Sequence, residues 1–319
     1  MSNLEVSVYH SRMLDNISTM EFSIIQKLRG SLAKQPWWFS FIILLCANGL
    51  STVQAADKQT GLSIHTFQGS QAGFYSNSHL IISNDKAFMI DAQFDVKNAK
   101  ELDRFLDKNN ISLQSILITH PHPDHFYGLE YLGIKYANTT LYAGPITGKI
   151  VDASIARWVK QSGGKLPGLQ TIRLLTNDDK VEQLQFGGQL LEVASLINRE
   201  SVENTVIYVP SMEALFTGDL VSNGFHLWLA EGRIKSWIEA LDKLQAYEPV
   251  ATIYPGHGIS GGAELIEETR TYIDRFVQST TESETTAQAI ASMLAYYPNY
   301  KLTEVLIASV SAAMETNSQ

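Results

Sequence analysis

The chain predicts an α/β (α+β) fold in which sheets are covered by helices. Two patterns carry that expectation. Short apolar runs bounded by Gly, Asn, Asp and Pro alternate with amphipathic segments of helical period. Helical segments also stand before, between and after the strand runs, as layered packing requires.

The first element is set apart. Residues 37–50, "WWFSFIILLCANGL", carry no charge, Lys27, Arg29 and Lys34 precede them, and "VQA" follows at residues 53–55. A basic region, a short apolar run and a small-x-small site read as a secretory signal peptide over residues 1–55, cleaved after Ala55. A spanning helix needs about 20 apolar residues, and this run is shorter; an uncleaved anchor is the competing reading. The stretch before Lys27 is long for a signal, so Met13 and Met20 are alternative starts. Cys46, the only cysteine, lies inside the run behind Leu45, where a lipid-anchor signal wants a small residue. The mature chain 56–319 then has neither disulfide nor thiolate, which suits a bacterial periplasm or secretion. No stable membrane anchor is expected after cleavage.

Residues 1–55 hold four of the 24 basic and three of the 33 acidic residues, leaving 20 against 30 and a net charge near −10. No Lys/Arg cluster stands out, which excludes nucleic acid as the expected partner. A small-molecule substrate is expected instead. About 264 residues support one domain with one large core.

Along that domain, "SIHTFQG" reads as a strand and "HLIISNDKAFMIDAQ" as a hairpin around Asn84-Asp85. Val96, Ala99, Leu102, Phe105 and Leu106 recur at helical spacing, and "SILITH" is a strand ending in histidine. "DHFYGLEYLGIKY" reads as a helix, "TTLYAG" as a strand, and "PITGKIVDASIARWVKQSG" as a helix opened by Pro and closed by Gly. Residues 181–218 are strand-rich, and "LEVASLINRESVENTVIYVP" is strand, turn and strand. "SWIEALDKLQAY" and "AELIEETRTYIDRFVQST" are helices flanking the strand and loop of "VATIYPGHG". "TTESETT" is the only linker-like stretch, and two helices follow over residues 282–315 around "YYPNY".

The densest chemical signal is "ITHPHPDHFYG". His120, His122, Asp124 and His125 offer four potential ligands within six residues, directly after a buried-type strand. Imidazole and carboxylate are the ligands of zinc and similar metals, and Pro121 and Pro123 stiffen the loop that holds them. "LFTGDLV" brings Asp219, and "IYPGHG" brings His257, to further strand ends. Each is weak alone; three strand-end loops that all offer ligands form a site.

With these motifs the chain resembles the metallo-β-lactamase superfamily of metal-dependent hydrolases. H-x-H-x-D-H is matched by His120, His122, Asp124 and His125, the "TGD" and "PGHG" elements by Asp219 and His257, and the early "hhIDaG" strand by "FMIDAQ" at Asp91. The likeness runs from about Ile64 to His257. It implies an αββα sandwich with two divalent metal ions at one edge, and here a C-terminal helical extension. His120 and His122 would bind the first metal, Asp124, His125 and His257 the second, and Asp219 would bridge both. Asp124 would also orient the hydroxide generated there and pass a proton to the leaving group. Asp91 would support the ligand loop.

The family carries one more ligand, a histidine in a turn of the form H-S-P-G-S-T-V-L-Y-L-P, nineteen residues before the bridging Asp. Here "NTVIYVP" aligns with "STVLYLP" and that place falls on Glu200. Three readings stay open: Glu200 is the ligand, a shifted turn brings Glu203 or Asn204, or the first site is crippled. A glutamate ligand resembles the alkylsulfatase-type branch. It also argues against true β-lactamases, glyoxalase II-type thiolesterases and acyl-homoserine lactonases, which keep the histidine. The added negative charge weakens Lewis acidity and makes manganese or iron alternatives to zinc. His226 and Trp228, in the segment after Asp219, and Asn204 are the candidate substrate contacts. The expected activity is exported hydrolysis of a small ester, lactone or sulfate ester. Alternatives are a β-lactamase-like amide hydrolase and a non-hydrolytic metal-binding or redox relative.

Overall fold

Parallel strands need crossovers, and the amphipathic segments of this chain supply them. In the computed structural model, which describes residues 61–163, 172–176 and 180–316, β1 (Leu62–Gln68), β2 (Asn77–Ser83) and β3 (Lys86–Ile90) are antiparallel neighbours. Asn84, at φ 53°, makes the tight turn of the second hairpin. β4 (Ser112–Ile118), β5 (Thr140–Ala143) and β6 (Ile172–Leu174) then continue the six-stranded sheet in parallel. Helix α1 (Val96–Lys108) joins β3 to β4; Asp95 caps it by accepting from the Asn98 amide at 2.7 Å. Its Ala99, Leu102 and Leu106 are buried, as their spacing predicts.

The segment 124–136 differs from the single helix expected. It forms α2 (Pro123–Phe126) and α3 (Leu129–Lys135), broken at Gly128. There the backbone presses against the loop after β3: Gly128 N donates to Gln93 O at 2.7 Å, and a Cβ on Gly128 would meet Ala92 O at 2.0 Å. Helix α4 (Pro145–Gln161) follows β5. Strand β6 has only three residues and no periodicity to announce it.

The second sheet has five strands, β7 (Val181–Phe186), β8 (Gln189–Ile197), β9 (Glu203–Val209), β10 (Ala214–Ser222) and β11 (Thr252–His257). The first four form an antiparallel meander, and β11 lies parallel to β10 after the crossover helix α5 (Ile234–Leu244). Helices α6 (Glu264–Glu282), α7 (Thr286–Tyr296) and α8 (Thr303–Thr316) follow β11. "TTESETT" is no linker: α6 runs through Glu282, and Thr285 opens α7 with a capping box to Gln288.

The layers follow from the burial. Ile64, Ile81, Phe88 and Leu117 of one sheet pack with Leu191, Ile207 and Phe216 of the other. The outer face of the second sheet, through Leu215 and Ile253, is covered by Trp237, Tyr272, Ile273, Met293 and Leu306 of α5–α8. Each such buried large side chain contributes about 1.5–3 kcal/mol relative to exposure. Helices α1 and α4 pack on the first sheet, with α3 against both, giving an αββα sandwich with a C-terminal helical extension. No helix among the described residues is long and apolar enough to cross a membrane. The signal-peptide reading of residues 1–55 lies outside the described residues.

Candidate metal centre

One edge of the sandwich gathers the ends of β4, β10 and β11 and the β8–β9 turn. Asp91 organises it. At φ 62° just after β3, its Oδ1 accepts from Thr119 N, and its Oδ2 from Thr119 Oγ1 and His125 Nδ1, each at 2.8 Å. One buried carboxylate therefore fixes both ends of the loop that carries the histidines. Pro123 starts α2 directly after His122, which puts Asp124 and His125 in its single turn.

Two groups of donors face the edge: His120, His122, Glu200 and Asp219 form one, and Asp124, His125 and His257 the other, each with ligand atoms within 4.8 Å of one another; a third such group, Asp91 with His120 and His125, shares its histidines with these two. In the first, His120 Nε2 lies 3.0 Å from His122 Nδ1, and Glu200 Oε1 lies 3.4 Å from His122 Nδ1. In the second, His257 Nε2 lies 3.2 Å and His125 Nε2 3.4 Å from Asp124 Oδ2. Asp219 stands between the groups: Oδ2 is 3.6 Å from His120 and 3.3 Å from His257, and Oδ1 is 3.2 Å from His125.

Hydrogen bonding fixes which nitrogen of each imidazole faces inward. Carboxylates and carbonyls only accept, so His125 Nδ1–H donates to Asp91 and His257 Nδ1–H to Phe74 O at 2.9 Å. Thr119 Oγ1 gives its hydrogen to Asp91 and so accepts from His120 Nδ1 at 2.9 Å. The Nε2 lone pairs of all three rings are left pointing at the carboxylates of the cluster. Correspondingly, His125 Nε2, Glu200 Oε1 and Asp219 Oδ1 are buried and make no hydrogen bond among the described residues. Such atoms cost about 1–3 kcal/mol each unless something takes them, and converging lone pairs with carboxylates are what a divalent cation takes. The donor set fits metal.

Charge tells the same story. Burial opposes ionisation of Asp124 and Asp219, yet His125 foremost, with His257, holds both carboxyls below the usual range. Burial likewise opposes charge on His125 and His257. Asp219 outweighs it, raising His125 well above the ordinary imidazole value and His257 to about 10. Protons bind where cations are wanted.

The turn after β8 brings Glu200, and not its alternatives, to His120 and His122. Glu203 points the other way, its Oε2 accepting from Ile146 N at 3.0 Å and Thr147 N at 2.7 Å at the start of α4. Asn204, expected at the substrate, is buried; its Nδ2 donates to Glu200 Oε2 at 2.9 Å and its Oδ1 accepts from Ser201 N at 3.0 Å. It holds Glu200 and leaves Oε1 for the centre. His226, also expected at the substrate, is buried: Nδ1 lies 2.8 Å from Tyr272 Oη, and its ring packs on Tyr300. The helical extension claims it, because Lys301 O accepts from His226 N at 3.0 Å. Trp228 is partly buried in the same loop, and its indole N–H meets no acceptor among the described residues.

Sequence reasoning missed Glu231, whose Oε1 lies 3.0 Å from His122 Nε2. It missed Phe74, which receives His257 through a backbone carbonyl and leaves no trace in residue type. It also missed Lys301, whose amine sits 5.4 Å from the Phe225 ring, itself 5.8 Å from the His257 ring. The signal for Glu231 is its place in the chain: it lies in the segment after Asp219 that also holds His226 and Trp228.

An αββα sandwich with imidazole and carboxylate donors clustered at one edge defines a class of metal-dependent hydrolases. The family model of the metallo-beta-lactamase superfamily matches residues 72–257, and the chain belongs to that superfamily. It is 25% identical over 242 residues to a metallo-beta-lactamase type 2 of Bacteroides fragilis, covering 74% of this chain and 90% of that protein. It is 26% identical to a hydroxyacylglutathione hydrolase of Brucella anthropi over 57% of this chain and 62% of that one. Among solved structures, a metallo-beta-lactamase from Pontibacter korlensis superposes with TM-score 0.53 at 21% identity, covering 70% of this chain and 99% of its own. TMB-1 gives 0.51 at 23%, with 70% and 97% covered. The chain is a metal-dependent hydrolase by family.

Proposed function

We propose that this chain is an exported hydrolase that holds two divalent metal ions, zinc in the first instance, and cleaves a small ester, lactone or sulfate ester. The observation that carries the reading is the pair of donor groups sharing Asp219 between them. His120, His122 and Glu200 would hold one ion, Asp124, His125 and His257 the other, and Asp219 would be shared. When bound, such ions would supply Lewis acidity, lowering the pKa of a water toward about 7 and polarising the scissile oxygen.

The chain's own groups do the rest. Asp124 Oδ2, directed at the centre between His125 and His257, orients the attacking water and takes its proton. The water oxygen bonds to the substrate carbonyl or sulfur, the bond to the leaving oxygen breaks, and Asp124 returns the proton to that oxygen. Three carboxylates against two dications leave less positive charge than an imidazole at residue 200 would. That favours activated leaving groups and tolerates manganese or iron. Lys301, beside the rings of Tyr75 and Phe225 near His257, supports a substrate with an acidic group, sulfate esters included. Export rests on the pattern of residues 1–55.

A second reading, β-lactam amide hydrolysis, is favoured by the likeness that spans 90% of the Bacteroides fragilis protein. The test is metal analysis of the mature protein with a screen of lactone, aryl ester, alkyl sulfate, phosphodiester and β-lactam substrates. Asp219→Ala should release metal and lower turnover by at least about 100-fold; unchanged turnover sinks the shared-ligand assignment. Iron without ester turnover would favour the redox alternative.

A further inference from the structure

We infer that Glu231 is the positioning residue that turns His122 toward the first metal. The inference rests on reading His120, His122, Glu200 and Asp219 as a metal site. Three of the four imidazoles at the centre have their outer nitrogen bound to a fixed acceptor: Thr119 Oγ1 for His120, Asp91 for His125 and the Phe74 carbonyl for His257. His122 has the opposite ring orientation, with Nδ1 facing His120 and Glu200 and Nε2 facing outward. The acceptor for that outward nitrogen is Glu231 Oε1, 3.0 Å away. A carboxylate only accepts, so the proton sits on Nε2 and the Nδ1 lone pair is offered inward. The same negative charge makes Nδ1 a stronger donor.

Glu231 is itself held in place. Its carboxylate pairs with Arg233 Nη1, and Arg233 Nε donates to Asn198 Oδ1 at 2.7 Å. Asn198 opens the turn that carries Glu200, its amide donating to Val202 O at 2.9 Å. The relay Asn198–Arg233–Glu231–His122 therefore links two members of one donor group around the outside of the site. Arg233 also balances the charge of Glu231, so that the centre, already rich in carboxylates, gains a hydrogen-bond acceptor without a further net charge. Gly232, at φ 70° with its amide on Leu229 O at 3.1 Å, makes the turn that sets Glu231 and Arg233 side by side.

The test compares wild type, Glu231→Ala and Glu231→Gln, with zinc affinity read by competition against a chromophoric chelator. The proton position on each histidine is read from long-range nitrogen–proton NMR correlations. In wild type, His122 carries its proton on Nε2, with or without zinc. Glu231→Ala weakens the first zinc by about 10–100-fold, leaves the second in place and loses the single proton position on His122. Glu231→Gln still accepts from Nε2–H, keeps that position and recovers most of the affinity. Glu231→Met, which fills the volume without an acceptor, replaces the Ala variant if that one does not fold. Zinc binding and His122 spectra that match wild type in the Ala or Met variant overturn the inference alone. A wild-type protein that binds no zinc overturns the centre and the inference together.

Discussion

At residue 256 the chain has no room for a side chain. A Cβ there would lie 1.9 Å from Asp219 Oδ1 and 2.9 Å from the carbonyl carbon of Gly218. Asp219 reaches its place between the two donor groups because "PGHG" is flat at this point, and the neighbouring Gly218, at φ 52°, bends β10 to aim it. Gly256→Ala should push the Asp219 carboxylate out of the centre. A displacement of about 1 Å suffices to cost on the order of 100-fold in turnover, and metal should be lost on dialysis. Circular dichroism should remain that of wild type, since the change is confined to one edge. Full metal retention would show that Asp219 does not need this gap. The donors themselves were legible in the sequence because four of them crowd into six residues, and Glu200 because the turn aligns without a gap. Glu231 was not, since a carboxylate 109 residues from its partner histidine looks like any solvated loop acid.

Among the elements, α4 shows why two glutamates in one turn have different fates. The first amides of a helix have no partner within it, and Gly144, ahead of Pro145, leaves space for the Glu203 carboxyl group 2.3 Å from where a Cβ would sit. Glu203→Ala should therefore lower stability by about 1–2 kcal/mol and leave metal content unchanged. Glu200→Ala should do the reverse, with metal lost and the denaturation midpoint of the chelator-treated protein nearly unmoved. Loss of metal in the Glu203 variant would reverse the assignment. Both glutamates read alike in sequence; what separates them is place and partner, since Glu203 opens β9 and meets the first amides of α4, whereas Glu200 lies in the turn before the strand and is held by the Asn204 side chain. The same limit applies to α2 and α3, whose continuous pattern hides a break imposed by the loop after β3. It applies to β6 too, which is named only by its pairing with β5. Strands and helices with clear periodicity, such as β4 and α1, were legible because burial alone shapes them.

Over the whole molecule, charge is stored in two opposed ways, and the balance sets how stability depends on pH. His79 sits between the sheets, bonded to Thr66 Oγ1 and Pro255 O. Burial outweighs the Pro255 carbonyl and Asp91, and the imidazole falls to about 4. Burial brings His226 to about 4 as well. An unfolded histidine titrates near ~6.5, so below that value the unfolded chain binds protons these two refuse. Their contribution is present above about 6.5 and is lost as pH falls toward 4. His257 has the opposite sign: Asp219 and Asp124 raise it to about 10 against burial. Its contribution is full below about 6.5 and is lost as pH rises toward 10. The chelator-treated protein should therefore be most stable near pH 6.5, its urea midpoint falling by roughly 0.5 M or more at both pH 4.5 and pH 9. Metal changes both limbs. Once bound, it replaces the protons on His125 and His257, so the alkaline decline should flatten. The acid decline begun by His79 and His226 should steepen, because below about 6.5 the unfolded chain binds protons that the metal keeps off His125 and His257. Urea titrations at pH 4.5, 6.5 and 9, with and without zinc, decide the matter. An alkaline limb that is the same in both would mean that zinc does not take the place of these protons.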